Sequence, residues 1–160
     1  MQNSYLLSLL VNDHPRVLHR ICVLFSKRGF NIASITVGPS EDSSLARMTI
    51  QTYGDAGRID QMAHQLKKLI DVIHIEPIVR PYALERELLL LSVKSETAYA
   101  RRLARIVEEG GGKIVNKAAD RYAIEISGDT ESLERFLRRI SEFPIVQLAR
   151  TGLAAISLKS

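Results

Sequence analysis

The sequence predicts an α+β protein made of two ferredoxin-like βαββαβ domains. Three observations predict it. Short apolar runs alternate with amphipathic helical stretches, the same order of elements occurs twice over about 75 to 80 residues each, and a proline-flanked break separates the two passes. The expected boundaries are residues 1–78 for the first domain, 79–84 for a linker and 85–160 for the second.

Tyr5 to Val11 is an apolar run closed by the turn formers Asn12-Asp13, as expected of a buried strand. From Pro15 to Arg28, the residues Val17, Leu18, Ile21, Cys22, Leu24 and Phe25 recur at helical spacing. Asp13 suits the N-cap, Pro15 the first turn, and Gly29 the left-handed stop. Ile32 to Val37 reads as a second strand. Leu45 to Tyr53 alternates, with Ala46, Met48 and Ile50 opposite Arg47, Thr49 and Gln51, so a strand with one polar face is expected. A helix bearing Ile59, Met62, Ala63, Leu66, Leu69 and Ile70 follows, and Val72 to Ile78 completes four antiparallel strands with two helices on one face.

Pro77 and Pro81 suit a linker better than a central strand. The pattern then restarts. Glu87 to Val93 is a strand, Thr97 to Glu109 a helix with Leu103, Ile106 and Val107 inward, and Gly110-Gly111-Gly112 its stop. Lys113 to Ala118 and Arg121 to Ser127 are strands around the Ala119-Asp120 turn. Asp129 or Thr130 caps a helix carrying Leu133, Phe136, Leu137 and Ile140, and Ile145 to Leu148 begins a last strand that Thr151-Gly152 interrupts before Leu153 to Leu158.

Composition excludes several functions. The 160 residues are 46% hydrophobic and 25% charged, a globular balance, and the net charge of +4 comes from 22 basic residues dispersed among 18 acidic ones. That is a solvated surface, not a nucleic-acid footprint. The single cysteine, Cys22, falls on the apolar helix face, where an inert buried thiol fits a reducing cytosol. No stretch suits a bilayer, and Met1-Gln2-Asn3-Ser4 lacks the pattern of a leader, so a cytoplasmic protein is expected.

Catalytic chemistry is not expected either. The four histidines show no metal-ligand spacing with each other or with Cys22, and neither a nucleophile elbow nor a phosphate-binding glycine loop occurs. No catalytic and no metal-ligating residue is therefore assigned. An RNA-recognition module shares the element order, but it stacks bases on aromatics of its central strands, and here those strands offer only the terminal Tyr5 and Tyr53.

Several segments carry a specific likeness. Asn12-Asp13-His14-Pro15-Arg16-Val17-Leu18, Leu24 through Ile32, Ser34-Ile35-Thr36-Val37, Arg47-Met48-Thr49-Ile50 and Gln65 through Val72 resemble the ACT domain of the regulatory small subunit of acetolactate synthase (acetohydroxyacid synthase). Glu85 through Leu88 and Ile145 through Gly152 are similar to that family's C-terminal domain, so the likeness covers essentially the whole chain. The resemblance implies a subunit with no cofactor of its own. Thiamine diphosphate, magnesium and FAD are expected on the catalytic large subunit, which the small subunit binds, activates and subjects to feedback inhibition by branched-chain amino acids, valine foremost. It also implies a homodimer of ACT domains. The effector would lie between the loop after the first strand of one copy and the start of the second strand of the other. The alternative class is a free-standing amino-acid sensor or an RNA-binding module.

On that resemblance the effector-binding residues are Asp13, Arg16, Val17, Leu18, Asn31 and Ile32. The chemistry is sensible. A helix N-terminus around Arg16, Val17 and Leu18 favours an α-carboxylate, Asp13 suits the ammonium, Ile32 supplies an apolar wall and the Asn31 amide both donates and accepts. Spacing alone explains Asp13 equally as a cap, Asn31 as a turn residue and Ile32 as core. One departure stands out: inhibitor-sensitive members of that family usually have Gly where this chain has Arg16, and Asn is common where it has Asp13; the arginine either adds bulk and charge at the expected carboxylate site, turns outward, or adds a contact to the carboxylate.

Overall fold

The computed structural model describes residues 3–158. Met1 and Gln2, where the expected first domain and the segment without a leader pattern begin, and residues 159–160, where the expected second domain ends, lie outside the described residues. The elements follow in the order β1 (Asn3–Asn12), α1 (Val17–Lys27), β2 (Ile32–Pro39), β3 (Leu45–Gly54), α2 (Ala56–Leu66), β4 (Val72–Ile78), β5 (Ala83–Lys94), α3 (Ala100–Glu109), β6 (Lys113–Ala118), β7 (Arg121–Gly128), α4 (Thr130–Ile140), β8 (Ile145–Arg150) and β9 (Ala154–Ser157). By its contacts the chain forms two compact units. One comprises the described residues through Leu84 together with those from Gly152 onward; the other is Glu85–Thr151. By contacts, the segment from Gly152 onward groups with the first half.

The first unit is an antiparallel sheet in the order β2-β3-β1-β4. Alternation in β1 sends Leu7, Leu9 and Val11 toward Val17, Ile21 and Phe25 of α1 and toward Ile59, Met62 and Leu66 of α2, and all of these are buried. Gly29 at φ +69° ends the α1 segment in the left-handed conformation that glycine adopts without steric cost. Pro77 is accommodated because β4 is an edge strand. Cys22 is half-buried rather than sequestered.

Three expectations change here. α1 begins at Val17, not Pro15, and its N-cap is Arg16, not Asp13. The chain runs on through a left-handed turn at Arg16 before the helix starts, so Asp13 stands three residues ahead of the cap position, in a loop where its N–H donates to the Ser44 carbonyl at 2.9 Å. α2 ends at Leu66, so Ile70 leaves the apolar stripe and is 85% exposed in the following turn. The expected polar face of β3 is partly covered, since Thr49 is buried and accepts from the Ala155 N–H at 3.4 Å. Leu153 and Ala155 pack there with Leu6, Ile78 and Ala83. Gly152 permits the approach. A Cβ at that position would lie 2.7 Å from Thr36 Oγ1 and 3.1 Å from the Ile35 carbonyl oxygen.

The second unit repeats the plan with strand order β6-β7-β5-β8. Leu89, Leu91 and Val93 of β5 pack with Leu103 and Val107 of α3 and Leu133, Phe136 and Ile140 of α4. The expected helix start at Thr97 is a 3₁₀ turn, Thr97–Tyr99, leading into α3. Asp129 caps α4, its carboxylate accepting from the Ser132 N–H at 2.7 Å. Glu87 is buried yet satisfied: it accepts from Arg150 Nε and from Thr130 Oγ1, each at 2.5 Å, while Arg150 also donates to Glu134 at 2.6 Å.

Candidate effector site

The loop between β1 and α1 is held by the chain far downstream. The Asn12 N–H donates to the Asp71 carbonyl at 2.9 Å, and the buried Asp71 carboxylate accepts from Arg20 Nη1 at 2.6 Å and contacts His14 Nε2 at 3.0 Å. Local sequence does not reveal Asp71, because it meets this loop only through the fold. The signal that it offered was an acidic residue in the turn just before β4.

At the end of this loop Arg16 adopts φ 80°, ψ −10°. A left-handed conformation costs a residue bearing a Cβ about 1–2 kcal/mol, and glycine avoids that cost. The backbone therefore has the shape that favours glycine at this position, although the chain carries arginine. No side chain caps α1, and the Leu18 and His19 N–H groups of its first turn have no acceptor among the described residues. That end of the helix can receive an anion.

The six expected residues are not gathered in one copy. Asp13 and Arg16 are exposed, Leu18 is 43% exposed, and the Val17 side chain lies in the core. Asn31 is exposed, its carbonyl accepting from Thr52 Oγ1 at 2.7 Å, while Ile32 packs against the core. Asn12 pairs with Leu45 at one end of β3, and Ile32 pairs with Thr52 at the other. That seven-residue step along β3 separates the two halves by about 24 Å at about 3.4 Å per residue.

Among the described residues no group of three or more histidine, cysteine, aspartate or glutamate side chains is placed to hold a metal ion. No helix among them is long and apolar enough to cross a membrane.

The fold and this helix-start loop define an ACT-type regulatory architecture, and comparison with known proteins specifies the family. Residues 7–74 match the model of the acetohydroxyacid synthase small subunit-like ACT domain, and residues 86–159 that of the small subunit of acetolactate synthase. The chain is 38% identical over 97% of its length to a probable acetolactate synthase small subunit of Methanothermobacter thermautotrophicus, covering 93% of that protein. It is 35% identical to the small subunit of acetolactate synthase isozyme 3 of Escherichia coli, over 95% of this chain and 94% of that one. The crystal structure of the acetolactate synthase small subunit from Thermotoga maritima superposes with a TM-score of 0.93 at 34% identity, covering 99% of each chain. The chain belongs to the acetolactate synthase small-subunit family, the regulatory, non-catalytic subunits of that enzyme.

Proposed function

We propose that this chain binds the catalytic large subunit of acetolactate synthase in the cytoplasm, raises its activity, and confers feedback inhibition by valine or a related branched-chain amino acid. Thiamine diphosphate, magnesium and FAD belong to the large subunit in this reading.

One observation supports the effector site above all. β2 is an edge strand, and its end at Pro39 pairs with Ala46, which pairs with Val11, at the same end of the sheet as the Asp13–Leu18 loop. When two copies pair antiparallel through β2, the start of one β2 lies beside the end of the other. Asn31 and Ile32 of one copy then approach the loop of its partner, closing the gap of about 24 Å that separates them within a chain. The amino-acid carboxylate would meet the first-turn N–H groups of α1, and its ammonium the Asp13 carboxylate.

The test is reconstitution. The cognate large subunit should co-purify with this chain, produce acetolactate faster in its presence, and become sensitive to valine. A large subunit that neither binds nor responds to the chain would overturn the proposal.

A further inference from the structure

The two units repeat each other down to their irregularities. In the first, β1 and β4 slip register between Leu10 and Val11, and β2 and β3 between Ile32 and Ser34. In the second, β5 and β8 slip between Ser92 and Val93, and β6 and β7 between Ile114 and Asn116. The strand ends are tied alike. Asn12 and Asp13 donate their N–H groups to the carbonyls of Asp71 and Ser44, and Lys94 and Ser95 donate theirs to those of Pro144 and Asp120, all at 2.9 Å. Lys94, Ser95 and Glu96 thus hold in the second unit the places that Asn12, Asp13 and His14 hold in the first.

At this repeated position the second unit has a cleft of about 420 Å³, within the range of about 300–1,000 Å³ usual for small-molecule sites. Phe143, Pro144 and Tyr99 supply its apolar lining. Lys94, Glu96 and Asp120 line it with side-chain charges that have no ion-pair partner among the described residues, whereas Arg102 is already paired with Glu142 at 2.5 Å. Carboxylates outnumber cations, which disfavours a phosphate, and the free ammonium of Lys94 disfavours a simple cation. Opposite charges beside an apolar surface match a zwitterion.

We propose that this cleft is a second effector site, taking a free amino acid with an apolar side chain. The ammonium lies against Asp120 and Glu96, the carboxylate against Lys94, and the side chain against Phe143 and Pro144. The amino-acid class rests on the reading of the first unit as an effector site; the cleft and its charges stand without it.

Amide NMR of the isotope-labelled full chain, titrated separately with L-valine, L-leucine and L-phenylalanine to millimolar concentration, tests it. At least one should shift the amides of Ser95, Asp120 and Phe143. Asp120→Ala and Lys94→Ala, both at exposed positions, should each weaken that response about tenfold or more, the scale for losing a charge-assisted hydrogen bond. Asp13→Ala should leave it intact. Shifts confined to the first unit overturn the second site and spare the first, whereas shifts confined to the second unit support this site and overturn the other. Shifts in the second unit that survive both cleft substitutions, or no shifts at all, also overturn it.

Discussion

The Arg20 guanidinium donates to the Asp71 carboxylate at 2.6 Å, joining the first helix to the turn before β4. Asp71 is the buried partner, with 6% of its side chain exposed, while Arg20 remains half in solvent. This pair and the His14 contact fix the loop from Asp13 to Arg16. Asp71→Ala should lower stability by about 1–3 kcal/mol and weaken valine binding by loosening the loop. Urea denaturation and calorimetry with valine check the two effects.

Arg16→Gly should act in the opposite direction. Removing the Cβ relieves the φ 80° strain, and after the added chain entropy of glycine the net gain is about 0.5–1 kcal/mol. The same change removes the bulk of a long side chain from the start of α1, lets the ligand approach the backbone closely, and should tighten valine binding. Equal affinity in Arg16→Gly and the parent would show that the arginine side chain does not obstruct this site.

Gly110→Ala should destabilise the second unit by about 1–3 kcal/mol. Its Cβ would lie 2.5 Å from Cδ2 of the buried Phe136 ring. Gly57→Ala offers the contrast: within α2 a Cβ meets only Asp55 Oδ1 at 3.5 Å, so a gain of up to about 1 kcal/mol is expected from helix propensity. Thermal melts of the two variants should shift in opposite directions.

Asp129→Ala should cost about 1 kcal/mol at neutral pH through loss of the α4 cap. The Ser132 N–H holds the Asp129 carboxyl below its ordinary value of 3.8. A carboxyl lowered on folding contributes stability that is complete above the unfolded value and disappears as pH falls through the folded one. The gap between parent and variant should therefore be full above about pH 5 and shrink below 3.8. Denaturation midpoints measured across that range check it.

Local pattern was enough to place the helices and most strand limits and to narrow the α4 cap to Asp129 or Thr130, because apolar period, glycine stops and capping residues act over a few positions. Features set by distant contacts were not legible. Asp13 looks like a cap until the left-handed turn at Arg16 delays the helix to Val17, and the polar side of β3 looks solvated until Ala155 reaches Thr49. The candidate site divides the same way. Its helix-start chemistry can be read along Asp13 to Leu18, but Asp71 and the left-handed backbone at Arg16 emerge only from the folded chain.

Complementation between two defective copies bears on the shared site. Asp13→Ala and Asn31→Ala chains should each activate the large subunit yet give an enzyme insensitive to valine. In a dimer mixed from the two, one site carries both substitutions and the other carries neither. Valine inhibition of acetolactate formation, measured after the two chains are refolded together and added to the large subunit, should therefore return in part. Mixed dimers that remain as insensitive as either variant alone would show that the loop after β1 and the start of β2 do not form one site between two copies.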